Sequence, residues 1–480
     1  MPFTVNPIKF GTDGWRGIIA KDFTFERVAR LAPVAARVLA EETKGKSPLI
    51  VIGYDRRFLA DKFAKVAAES LQEAGFDVLL ANSSAPTPAL SWAAKQFNAL
   101  GALVLTASHN PPEYLGLKVK GAFGGSVAPS VTRKIEVLLE DQPQIQAKTT
   151  GCLDLFDPWQ GYCEVLRSKV DLFPIQAALE SGKLQLFVDV MHGAAATGLT
   201  RLLGPGVREI NSAVDPLFGG RAPEPLPSNL EELFHTIKTA RAQSPESLIA
   251  GLIFDGDGDR IAAADGQGNF LSSQVLIPIL IDHLAQRRGW TGEVVKTISG
   301  SDLIPRLAKL YNLNLFETPI GYKYIADRML TTPVLIGGEE SGGIGYGNHI
   351  PERDALLSAL YVLEAVVQSG QDLAIYYSLL QEKVGFYSSY DRIDVPLSSL
   401  EAKENLKTKL IQEPPVLVAG QKVIDCLAID GYKFRLEDQS WLLIRFSGTE
   451  PLLRLYSEAQ NQETVNRILD WAKDWASLAT

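Results

Sequence analysis

Residues 248–260 read LIAGLIFDGDGDR: an apolar run, Leu248–Phe254, that stops abruptly at a polar loop in which glycines separate Asp255, Asp257 and Asp259. The same transition occurs twice more. ALVL (102–105) runs into TASHNPP, and PVLIGG (333–338) runs into EESGG. Open α/β sheets bind ligands just outside the carboxyl ends of their strands, so a buried strand that empties into a glycine-containing polar loop marks a site as well as a fold. Three such loops could converge on one cleft.

Outward from these runs, strand-like and helix-like segments alternate. Leu49–Gly53 and Phe76–Leu80 are short apolar strands. Leu59–Ala74 carries apolar residues at helical spacing and stops at Gly75, and Ala89–Phe97 is again helical. Such alternation predicts a parallel sheet covered by helices. Asp141–Thr150 (DQPQIQAKTT) has no core residue at either period and is expected to be a linker. A second unit follows with a strand at Leu184–Asp189. Ser228 with Glu231 is expected to form a capping box opening a helix to about Arg241. A third unit runs from about Leu271 to Gln381. From Val384 the pattern changes to alternating strands, with Ser398 and Glu401 as another capping box, which predicts a smaller α+β unit.

The bulk properties exclude several classes. At roughly 100–200 residues per domain, 480 residues make three or four domains. A net charge of −9 argues against a nucleic-acid backbone as the main partner. Cys152, Cys163 and Cys426 show no CxxC spacing, so no disulfide framework or structural zinc is expected, and a reducing, cytoplasmic setting fits. No basic segment followed by an apolar one opens the chain, and no apolar stretch approaches the ~20 residues of a membrane span.

Each loop suggests chemistry. Alternate aspartates in extended backbone share a face, and three hard carboxylate oxygens suit Mg²⁺, which keeps a place for a phosphate oxygen. Arg260 adds a fork of donors beside them. Ser108, directly after a strand, is placed to be a nucleophile, with Lys118 ten residues on. His109 is expected to order that loop and to contact substrate. Glu339 and Ser341 offer an acceptor and a donor for vicinal sugar hydroxyls. Arg445, Ser447, Gly448 and Thr449 in RFSGTEP gather the groups that cradle a phosphate dianion, with Arg454 on the following strand. Arg16 in GTDGWRG and Lys323 in TPIGYKY add cations, and His349 in NHIPERD is either a general base or a satisfied core histidine. Together the loops describe phosphoryl transfer on a phosphosugar.

The ordered set GTDGWRG, TASHNPPEYLGLKV, DGDGDR, TPIGYKY, GEESGG and RFSGTEP resembles the α-D-phosphohexomutase family, the phosphoglucomutases and phosphomannomutases, over nearly the whole chain. The resemblance implies an α/β protein of four domains around a central cleft. Three are related mixed-sheet domains, expected at 1–147, 148–268 and 269–383, and the smaller α+β domain is expected at 384–480. It implies that Ser108 carries the phosphoryl group, and that Asp255, Asp257 and Asp259 hold Mg²⁺ with the Ser108 phosphate. Glu339 and Ser341 would bind sugar hydroxyls, and Arg445, Ser447, Gly448 and Thr449 would grip the phosphate that is not transferred. Arg16, Lys118 and Arg260 match basic residues near the transferred phosphate, and Lys296 matches a further phosphate contact. Some members place histidines in the two third-domain loops where this chain has Lys323 and Gly343, which leaves Lys323, His349 and Lys118 as acid/base candidates.

The implied activity is phosphoglucomutase, with glucose 1,6-bisphosphate as intermediate and activator. Phosphomannomutase or dual hexose specificity is the runner-up, and RFSGTEP differs from the RPSGTEP typical of glucosamine phosphate mutases. A bisphosphate synthase and a non-enzymatic sugar-phosphate sensor are further alternatives. The expected partner is a small phosphosugar, with neither nucleic acid nor membrane.

Overall fold

The computed structural model describes residues 7–43, 45–140, 149–447 and 451–477. It contains four sheets in four domains. In the first, Leu49–Tyr54 lies parallel to Asp77–Ala81 and Gly101–Leu105, as the alternation of elements predicts. Two antiparallel strands then extend the sheet, Tyr114–Gly121 beside Gly101–Leu105 and Trp15–Ile18 beyond it. The sheet is therefore mixed, and the serine loop joins two antiparallel neighbours instead of leading into a helix.

The other two α/β domains repeat this arrangement. Leu248–Phe254 is followed by antiparallel Ile261–Ala264, and Val334–Gly338 by antiparallel Ile344–Gly345. TASHNPP, DGDGDR and GGEESGG thus occupy one topological position in three related sheets: the turn after a buried strand, before its antiparallel neighbour. The fourth sheet is antiparallel throughout and packs under the helices Leu400–Gln412 and Gln462–Ser477.

The first three domains share a core. One apolar cluster runs from Val51 and Leu90 through Leu186 and Leu252 to Ile336 and Leu360. At its centre lies the helix Ala355–Ser369, in which every residue from Ala355 to Val366 is buried. A helix so largely apolar on every side is interior, its one buried charge, Glu364, is paired with Arg288, and Asp354 caps it by accepting from the Leu357 amide at 2.9 Å. The fourth domain has its own core of Leu406, Leu442, Leu455 and Leu469. Among the described residues no helix is long and apolar enough to cross a membrane.

Some local expectations shift. The helix expected from Leu59 begins at Ala60, with Leu59 left-handed at its N-cap. Ser228 caps nothing: Pro227 starts a 3₁₀ turn that encloses it, and the helix Glu231–Gln243 begins after Leu230 without a side-chain cap. In the fourth domain the cap is Ser399, not Ser398, because extended backbone at Ser399 lets its hydroxyl accept from Ala402 N at 3.0 Å. Of the linker expected at 141–150, residues 141–148 lie outside the described residues. The strand Leu153–Phe156 pairs with Asp77–Ala81, so the first sheet takes its edge strand from beyond the boundary expected at 147/148.

Candidate active site

The serine loop is held from behind by one side chain. Arg57 donates to the carbonyls of Ser108 (2.7 Å), Asn110 (2.6 Å), Pro111 (2.9 Å) and Tyr114 (3.0 Å), and pairs with buried Asp55. The Pro111 carbonyl also accepts from the Tyr114 amide at 3.1 Å, and backbone carbonyls left without a donor are costly to bury. Ser108 itself adopts a left-handed φ of 52°, which turns its hydroxyl toward the aspartate loop. Arg57→Ala would take the guanidinium from these carbonyls and from buried Asp55, which would keep only neutral donors such as the residue 57 amide at 2.9 Å, and we expect it to lower stability by about 3 kcal/mol or more. Urea denaturation reads the loss, and an unshifted midpoint would contradict this role.

The aspartate loop meets the serine loop directly. Ser108 Oγ donates to Asp255 Oδ2 at 2.9 Å. Asp255 Oδ1 accepts from the amides of Asp259 (3.1 Å) and Arg260 (3.2 Å), which curls the loop around its own first carboxylate. Gly256 sits where a Cβ would stand 2.4 Å from the Ser108 carbonyl, so only glycine allows the two loops this close. Asp255, Asp257 and Asp259 are fully buried, with ligand atoms that lie within 4.8 Å of one another.

Cations organise the carboxylates. Lys118 Nζ sits 2.8 Å from Asp13 Oδ2, 2.7 Å from Asp257 Oδ2 and 2.9 Å from Asp259 Oδ2. Burial alone would lower its pKa, but the three carboxylates outweigh burial and raise it. Burial and the charges of Asp257 and Asp259 push Asp255 well above the usual carboxylate range; burial would do the same to Asp257, but Lys118 holds it low. Asp257 Oδ1 and Asp259 Oδ1 are buried and accept no hydrogen bond. Buried carboxylate oxygens without a hydrogen bond are costly, Asp259 Oδ1 has Arg260 Nε no nearer than 3.9 Å, and a hard divalent ion would satisfy both. The residues present fit Mg²⁺.

These loops reach a cavity of about 820 Å³ through His109 and Arg260, while Ser108, Lys118 and the three aspartates are buried and are not among its lining residues. Arg16, His109 and Arg260 line it on the serine side, Lys323, Glu339 and Ser341 on the third domain, and Arg445 and Arg454 on the fourth. Burial, with Arg260 and Arg16 nearby, depresses His109 to about 2, so its imidazole is neutral. Burial raises Glu339 to about 7 against the pull of Arg353. Arg445 and Arg454 are cross-strand partners. Arg445 Nε donates to Asp430 Oδ2 at 3.0 Å, and the same oxygen accepts from Ile320 N at 3.0 Å, which ties the fourth domain to the TPIGYKY loop. Ser447 is buried, its amide bonded to the Leu452 carbonyl. Gly448 and Thr449 lie outside the described residues.

Two expected residues are elsewhere. Lys296 is fully buried in the third domain, 2.8 Å from Glu317 Oε1 and bonded to the Gly300 carbonyl, and it does not line the cleft; its ammonium is consumed by a charge cluster with Asp302 and Lys433. His349 also lies away from the cleft, stacked on Trp92 at 5.4 Å with Nε2 3.1 Å from Asp354 Oδ2. It supports the cap of the central helix. We expect His349→Gln to keep kcat within about twofold while costing about 1 kcal/mol of stability through the Asp354 bond; a large kcat loss in a folded variant would restore it to the chemistry.

Sequence reasoning missed Asp13, Thr87, Arg353 and Arg392. Asp13 is three residues from Arg16 in GTDGWRG, and Arg353 is in the same NHIPERD stretch as His349. The motifs were signal enough, but which charged residue in each turns inward depends on loop geometry. Thr87, whose hydroxyl bonds Asp257, and Arg392, which lines the cleft, carried no motif.

Known proteins match this arrangement. Family models described as phosphoglucomutase/phosphomannomutase alpha/beta/alpha domains I, II and III match residues 7–146, 160–268 and 272–383, and the C-terminal domain model matches 401–472. A phosphoglucomutase/phosphomannomutase from Thermococcus kodakarensis is 30% identical over 468 residues, covering 96% of each chain. A phosphoglucosamine mutase from Halorhodospira halophila is 31% identical over 477 residues, covering 96% of this chain and 95% of that one. A crystal structure from Thermus thermophilus, described as that of a phosphomannomutase, superposes with a TM-score of 0.84 at 34% identity, covering 98% of this chain and all of that one. With all four domain models matched in order and relatives aligned end to end, the chain belongs to the phosphoglucomutase/phosphomannomutase family of α-D-phosphohexomutases.

Proposed function

We propose that this phosphohexomutase interconverts glucose 1-phosphate and glucose 6-phosphate, with Ser108 as phosphoryl carrier and glucose 1,6-bisphosphate as intermediate. The observation that carries the proposal is Ser108 Oγ, buried 2.9 Å from Asp255 in a carboxylate cluster with unsatisfied oxygens, next in sequence to His109, which lines the same cleft as Arg445 and Arg454. Asp255, Asp257 and Asp259, with the phosphate on Ser108, would hold Mg²⁺, which when bound supplies charge neutralisation at the transferring phosphate.

The protein's own groups do the rest. Arg445 and Arg454 hold the phosphate that stays on the sugar, with the RFSGTEP loop completing the cradle. Glu339 and Ser341 bind hydroxyls of the ring. The free hydroxyl then faces phospho-Ser108, with Arg16 and Arg260 beside the group in flight. Phosphoryl transfer needs mainly positioning and charge neutralisation, so these contacts carry the rate. All three N–H donors of Lys118 are engaged by carboxylates, so it neutralises charge and takes no proton. That leaves Lys323, in the cleft, as the acid/base group. The bisphosphate must then present its other end to Ser108. A cavity of about 820 Å³, within the ~300–1,000 Å³ of small-molecule sites, gives it room to turn. The three unpaired cysteines accord with a cytoplasmic setting.

Glucosamine phosphate is the second substrate to weigh, because the 31% identical relative is named a phosphoglucosamine mutase. Side-by-side kcat/KM values for glucose, mannose and glucosamine 1-phosphates, with a trace of the matching bisphosphate, decide among them. We expect glucose 1-phosphate to lead by about tenfold or more over glucosamine 1-phosphate. The reverse order would assign the chain to amino sugars, and accumulation of free bisphosphate would make it a synthase.

A further inference from the structure

The two unsatisfied oxygens of the carboxylate cluster are selected by what holds their partners. Asp257 Oδ2 accepts from Lys118 at 2.7 Å and from the Thr87 hydroxyl. Asp259 Oδ2 accepts from Lys118 at 2.9 Å and from Arg353 Nη2 at 2.7 Å. In each carboxylate Oδ1 is buried and accepts no hydrogen bond, although Asp259 Oδ1 lies 3.9 Å from Arg260 Nε. A carboxylate with one oxygen gripped twice cannot rotate without breaking both bonds, so only its other oxygen can face an ion.

Arg353 is the charged member of this frame with no assigned role. It is 5% exposed and touches all three α/β domains. Its Nη2 bonds Asp13 in the first and Asp259 in the second, and Nη1 lies 3.9 Å from Glu339 Oε2 in the third. Its path requires glycine at 343, where a Cβ would stand 2.4 Å from Arg353 Cδ.

We propose that Arg353 is a positioning residue for the divalent cation. With Lys118 it fixes Asp259 Oδ2, so that Oδ1 is presented to the ion, and it ties that carboxylate to the sugar-facing Glu339. The proposal rests on reading the three aspartates as the metal site. Mg²⁺ demands near-ideal octahedral geometry, so a ligand free to swing between two oxygens would bind it poorly. Groups that orient metal ligands typically cost 10–100-fold in affinity when removed.

Mn²⁺ titrated into the full-length protein and followed by the resonance signal of the free ion measures affinity without turnover. Arg353→Gln is expected to weaken Mn²⁺ by about 10–100-fold. Arg353→Lys should fall between it and the wild type, because one ammonium keeps charge near Asp259 but lacks the guanidinium's fork. Wild-type affinity in folded Arg353→Gln overturns the proposal. If that variant fails to fold, Gly343→Ala decides, since it crowds the Arg353 side chain while leaving every charge in place. About tenfold weaker Mn²⁺ in Gly343→Ala supports the role, and unchanged affinity overturns it. Asp257→Asn is the control on the underlying reading: wild-type Mn²⁺ binding there would mean that the aspartates are not the metal site at all.

Discussion

Ser108→Ala is expected to abolish mutase turnover, by about 10⁴-fold or more, as removal of a covalent carrier does. The effect should be confined to chemistry. The serine loop is fixed by the four carbonyl bonds from Arg57 and by the Ser108 amide bonded to Thr106 Oγ1 at 2.9 Å, none of which needs the hydroxyl. Sugar phosphate should therefore still bind, held by the fourth-domain arginines. Substantial turnover in Ser108→Ala supplied with glucose 1,6-bisphosphate would contradict the carrier role.

Asp257→Ala should be nearly as damaging. It removes one of the two oxygens that accept no hydrogen bond and frees an N–H of Lys118, so the ammonium can drift from the transferring phosphate. We expect kcat/KM to fall by at least about 10³-fold, since an ion that neutralises phosphoryl charge is worth several kcal/mol. The wild-type enzyme in saturating chelator should show a comparable loss, restored by Mg²⁺. Full activity in excess chelator would mean that Lys118 and the arginines suffice alone.

Much of this site was legible because its chemistry is local in sequence. DGDGDR places three carboxylates and their glycine hinges within five residues, and the strand before it announces itself as an apolar run. What was not legible depends on contacts between distant segments. An alternating β/α pattern predicts parallel strands, but the antiparallel return after each loop follows from strand pairing between neighbours, which apolar runs do not encode. His349 and Arg353 are four residues apart in one motif. The first turns into the Trp92 stack and the second into the cleft, a difference set by the partners Asp354 and Asp13. Lys296 is expected at a phosphate only because the family resemblance matches it to such a contact; Glu317, on the adjacent strand, pairs with it instead. Ser228 failed as a cap because Pro227 imposes its own turn.

The account turns on a phosphate that leaves the sugar, resides on Ser108 and returns. Incubating the protein with glucose 1,6-bisphosphate and Mg²⁺, mapping phosphorylated peptides by mass spectrometry, and then chasing with glucose 1-phosphate tests that path directly. We predict near-stoichiometric phosphate on the peptide bearing Ser108 and its loss into sugar phosphate on the chase. No phosphate on Ser108, or a phosphoserine that the chase leaves in place while product accumulates, would contradict it.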